Sequence, residues 1–84
     1  MRVDLTQGYR SAASQLPSRY CISTQTKSGK DYTIMRQKYF TPRQSIKELW
    51  EVHKGISFVR GQVYTPEIVF PTKKEAMAYV EEKE

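Results

Sequence analysis

A chain of 84 residues, 38% apolar and 27% charged, has the make-up of one folded domain (1–84), too short for two and too thin-cored for a deep enclosed active site. One cysteine and one histidine exclude an internal disulfide and the usual four-ligand zinc sites, and no uncharged stretch is long enough to cross a bilayer as a helix. The net charge of +5 is unevenly placed: Met1 to Lys47 holds nine Lys/Arg against Asp4 and Asp31 (+7), and Glu48 to Glu84 holds five against seven acids (−2).

Residues 1–17 carry the weakest pattern. Arg2-Val3-Asp4-Leu5 alternates like a short strand, Gly8 breaks it, and Pro17 ends the Ser/Ala-rich stretch that follows. Part of this segment is expected to be mobile. Arg2 is followed by no apolar core, so no signal peptide is expected, and a cytoplasmic location is the default expectation.

Residues 18–40 predict a β-hairpin. Two runs rich in Tyr, Ile and Thr flank Lys27-Ser28-Gly29-Lys30. A three-residue loop with Gly29 left-handed pairs Ile22 with Ile34 and Thr24 with Tyr32. A two-residue loop at Ser28-Gly29 pairs Ile22 with Met35 and turns the other face of the second strand inward. The first register gathers more apolar area and is favoured.

Residues 42–54 predict a helix. Thr41 is a candidate N-cap, Pro42 suits the first helical position, and Gln44 completes a capping box. Ile46, Leu49, Trp50 and His53 fall at helical spacing on one face, with Trp50 as core anchor and His53 at the core's border. Strands are expected at 56–59 and 67–70. A second helix is predicted over 73–82, capped by Thr72 with Glu75. The fold expected is thus α+β: a mostly antiparallel sheet of three to five strands, two helices (about 42–54 and 73–82) on one face, and the other face open to solvent or a partner.

The stretch Ile68 to Ala76 resembles the strand-then-capped-helix ending of the arm-DNA-binding domains of tyrosine recombinases. The likeness spans about residues 67–83; the segment 42–54 departs from that pattern, and no site residue is carried over.

Catalytic constellations are absent. Cys21 has only His53 as a possible base, the four glycines form no phosphate loop, and paired carboxylates are confined to the last helix and its tail. A non-enzymatic binding protein without cofactor or metal is therefore expected. The cations Arg19, Lys27, Lys30, Arg36, Lys38, Arg43 and Lys47, with Tyr39 for base stacking, point to nucleic acid, DNA or RNA. The alternative is a protein-binding module or inhibitor of the phage type, docking on an acidic protein surface of a host machine.

Overall fold

A computed structural model of the chain describes residues 3–11, 20–57 and 64–83. The fold is α+β: a five-stranded antiparallel sheet with one C-terminal helix packed against it. The strands are β1 (Arg10–Ser11), β2 (Cys21–Gln25), β3 (Asp31–Phe40), β4 (Ile46–Lys54) and β5 (Ile68–Phe70), and the helix is α1 (Lys73–Glu81). The order is β1-β3-β4-β5, with β2 sharing the β1 side of β3.

Two hairpins built on one turn design set the register. In the first, Thr26 N–H donates to the Lys30 carbonyl (3.0 Å), Gly29 N–H donates to the Thr26 carbonyl (3.0 Å), and Gly29 takes φ of 88°. This is the three-residue loop with a left-handed last residue, and it pairs Ile22 with Ile34 and Thr24 with Tyr32, the favoured register. The second hairpin repeats it. Thr41 N–H donates to the Ser45 carbonyl (2.8 Å), Gln44 N–H donates to the Thr41 carbonyl (2.8 Å), and Gln44 takes φ of 61°. In both loops the leading threonine Oγ1 accepts the backbone N–H four residues on, from Lys30 at 3.1 Å and from Ser45 at 3.2 Å.

The helix predicted over 42–54 is therefore a turn followed by strand β4. Thr41, Pro42 and Gln44 satisfy a helix cap and a type I turn equally well, because both begin with Pro-compatible φ and a side-chain oxygen that accepts a backbone N–H. β4 then pairs with β3 over nine residues, from Phe40↔Ile46 to Tyr32↔Lys54. That long ladder, closed on its other side by β5 at Trp50 to Val52, outweighs helical spacing on one short segment.

Side chains alternate along the ladder. One face carries Tyr32, Ile34, Trp50, Val52, Ile68 and Phe70, which pack with Ala76, Met77 and Val80 of α1. Thr72 caps that helix, accepting from Glu75 N–H at 3.3 Å, as the sequence predicts. The opposite face is not open. Tyr39, Leu49 and Val69 form a second core there, covered by Val3, Leu5 and Tyr9. Val3 N–H donates to the Val69 carbonyl (2.7 Å) beside β5, and the chain then crosses through a 3₁₀ turn, Leu5–Gln7, to reach β3 as β1. Gly8 sits at φ of 93° where an added Cβ would lie 3.5 Å from Pro42 Cβ, so the crossing segment packs close under the β3–β4 turn. Val3 thus contributes one bond to β5 instead of a separate N-terminal strand. Gly55 and Ile56 form a bend after β4, Ser57 follows without regular structure, and the remainder of the strand expected at 56–59 lies outside the described residues.

Glu67 ties α1 to the sheet. Its carboxylate accepts from Tyr79 Oη (2.6 Å) and Tyr32 Oη (3.2 Å), with Lys83 Nζ at 3.2 Å and Lys54 Nζ at 3.6 Å. Partial burial raises its pKa, but the hydrogen bonds from Tyr79 and Lys83, the Lys83 charge and the Tyr32 bond outweigh this and hold it below the ordinary 4.5. A carboxylate depressed in the folded state stabilises the fold above its unfolded pKa and loses that contribution as pH falls through the folded value. Urea titrations should show Glu67→Gln less stable than wild type at pH 7, with the gap closing below about pH 4; a gap independent of pH would contradict this role. Gln44→Gly should raise stability by roughly 0.5–1 kcal/mol, because glycine adopts the left-handed conformation without steric cost. Thermal melting checks it as a rise of a few degrees.

Candidate nucleic-acid interface

Strand parity decides which side chains face outward. On the helix-bearing face, residues lie in rows across the sheet: Arg10–Phe40–Ile46, then Lys38–Glu48, then Arg36–Trp50–Phe70. The helix packs from the Trp50–Phe70 row onward, over Tyr32, Ile34 and Val52, and leaves the first two rows uncovered. The first two rows are exposed: Phe40 is 37% and Ile46 61% accessible, and Arg10, Lys38 and Glu48 all face solvent. The adjacent turn adds exposed Arg43, whereas exposed Lys47, paired with Tyr39, points to the opposite face.

The electrostatics of this open end are one-sided. Glu48 stands opposite Lys38 but reaches diagonally to Arg36, with its Oε2 2.5 Å from Arg36 Nε. The Arg36 guanidinium also lies 3.7 Å from the centroid of the Tyr20 ring, which is 50% exposed. Arg36 is therefore held in place between a carboxylate and an aromatic face. Arg10, Lys38, Arg43 and Lys47 make no ion pair among the described residues.

The sequence-predicted set divides. Arg36, Lys38 and Arg43 gather at the open end, with Arg43 arriving on a turn instead of a helix; Lys47 arrives on strand β4 beside them but, paired with Tyr39, faces the other side of the sheet. Lys27 and Lys30 occupy the opposite end of the ten-residue strand β3, roughly 30 Å away at 3.3 Å per residue, so they belong to a different surface. Arg19 lies outside the described residues. Tyr39 is not available for stacking. It is 4% exposed, on the face covered by the N-terminal crossing, and its hydroxyl donates to Glu51 Oε2. The outward aromatic is its neighbour Phe40. Arg10, Phe40 and Ile46 were the residues that sequence reasoning missed; β-alternation of Lys38, Phe40, Ile46 and Glu48 around the turn was the available signal.

Beneath the opposite face lies a buried polar cluster. Glu51 is 5% exposed and His53 2%. Glu51 Oε1 is 2.7 Å from His53 Nε2, and Glu51 Oε2 accepts from the Tyr39 hydroxyl, so the one carboxyl group bridges both side chains. Burial, then the hydrogen bond and charge of Glu51, push the Tyr39 phenol far above its ordinary value, which keeps it a donor. His53 is thus an enclosed, satisfied histidine on β4, not one at a helix end. The described residues contain no group of three or more His, Cys, Asp or Glu placed to hold a metal ion. No helix among them is long and apolar enough to cross a membrane.

No protein-family model, curated protein or solved structure matches this chain.

Glu51→Ala would leave two buried donors, Tyr39 Oη and His53 Nε2, without their acceptor. At roughly 1–3 kcal/mol for each orphaned group, stability should fall by about 2–5 kcal/mol in chemical denaturation. A loss under 1 kcal/mol would show that the cluster is solvated.

Proposed function

We propose that this protein binds nucleic acid through the open end of the helix-bearing sheet face and the adjoining β3–β4 turn. The observation that carries the reading is the company of Arg10, Lys38 and Arg43, none held in an ion pair among the described residues, around exposed Phe40 and Ile46. On those rows the one carboxylate, Glu48, is occupied by Arg36. Cations left unneutralised side by side repel one another, and a phosphate backbone relieves the repulsion while releasing condensed counterions. Apolar side chains among the cations add contacts that bases supply and bulk anions do not. The reading keeps the binding function non-enzymatic: the polar cluster beneath the other face is buried and satisfied, and the open end presents cations and hydrocarbon.

Arg36 makes a poor test residue, since it also holds Glu48 and Tyr20. Lys38 and Arg43 are the clean ones. Three phosphate contacts predict that log K falls with log salt at a slope of about −2.5. Lys38→Ala and Arg43→Ala should each reduce the slope by about 1 and leave the melting temperature unchanged within error. Fluorescence anisotropy with a labelled oligonucleotide from 50 to 300 mM salt measures this. Absence of micromolar binding at low salt removes the reading and returns attention to an acidic protein surface as the partner.

A further inference from the structure

Resting on that reading, we infer that the nucleic acid is single-stranded and that Phe40 is a stacking platform for an unpaired base. The position of the apolar pair decides this. Phe40 and Ile46 are directly paired across the ladder, on the flat of the sheet and behind the turn Thr41–Ser45. A side chain that wedges between the base pairs of a duplex stands at the leading tip of a ribbon or strand. Here the leading tip is Pro42-Arg43-Gln44, which is exposed and carries no large apolar group. Phe40 is instead flanked along its row by Arg10 on one side and Ile46 on the other, with Lys38 one row behind.

A duplex laid on such a surface would present phosphates and groove edges to the Phe40 ring and the Ile46 side chain, because its base faces are already stacked on one another. A single strand turns its base faces outward, and aromatic rings and guanidinium planes both stack on them. The surface offers one of each. The Phe40 ring is on the first row, and the Arg36 guanidinium, layered with Tyr20, is on the third, roughly 13 Å away at two residues per row. Lys38 stands on the row between, where the linking phosphates would pass. Trp50, the chain's one tryptophan, shares the Arg36 row and is partly exposed, so a bound base lies within reach of a built-in fluorophore.

The test uses the full chain and three labelled probes of one mixed sequence: single-stranded DNA, single-stranded RNA and the DNA duplex. The single strands are expected to bind at least tenfold tighter than the duplex and to quench Trp50 emission. Phe40→Ala should weaken single-strand binding roughly tenfold, the weight of one stacked base, with little change for the duplex, and Phe40→Trp should restore it. Phe40 is 37% accessible, so Phe40→Ala costs some stability, and circular dichroism confirms that both variants are folded at the assay temperature. Duplex binding equal to or tighter than single-strand binding, with Phe40→Ala silent, overturns the inference and leaves the broader reading standing. Binding to none of the three probes removes both.

Discussion

The structure depends on the registration of β3 against the three strands that pair with it. β3 is the strand that β1, β2 and β4 all pair with, and its odd and even residues face different worlds. Even positions 32 and 34 build the helix-side core, and positions 36, 38 and 40 continue it into the open platform. Odd positions 33, 35, 37 and 39 are buried on the other face, where Tyr39 packs under the N-terminal crossing and meets Glu51. A slip of one residue would exchange Tyr39 for Phe40 and place Lys38 in a core. Two turns of the same design guard against that slip, each fixing three loop residues between a paired threonine and its partner.

Coverage by elements of unequal length is what leaves a platform at all. β3 and β4 are ten and nine residues long, whereas α1 packs on Tyr32, Ile34, Trp50, Val52, Ile68 and Phe70, so the Lys38–Glu48 and Phe40–Ile46 rows lie beyond it. The unhelical end of that face is left to Phe40, Ile46, Lys38 and Arg10. On the reverse face the N-terminal crossing does the work a second helix would have done, burying Leu49 and Val69 with three side chains. The fold thereby buries both faces of the sheet's centre and exposes one end of one face.

Some of this was legible in the residues themselves. Gly29 at the end of Thr-Lys-Ser-Gly announced the first turn and with it the Ile22–Ile34 pairing, and Thr72 with Glu75 announced α1. The segment 42–54 was not legible as a strand, for a physical reason. Leu49 and the polar Glu51 and His53 are buried on one face while Trp50 and Val52 pack on the other, so the polar–apolar alternation that marks a half-exposed strand is erased. What was left, Ile46, Leu49, Trp50 and His53, imitates a helical stripe. Gln44 hid the second turn further, because a left-handed residue there gives no glycine signal. The same misreading carried into the site: with β4 taken as a helix, Arg43 and Lys47 were anticipated but their neighbours Phe40, Ile46 and Arg10 were not, and Tyr39 was assigned the outward role.

The most direct measurement is a filtered nuclear Overhauser experiment on the isotope-labelled protein bound to an unlabelled single strand. It reads strand parity and ligand contact together. The ring protons of Phe40 should show intermolecular contacts to base protons, while the Tyr39 ring shows only internal contacts within the core it shares with Leu49, Val69, Val3, Leu5 and Tyr9. Base contacts to Tyr39, or a Phe40 ring lodged against the N-terminal segment, would contradict the account at its root.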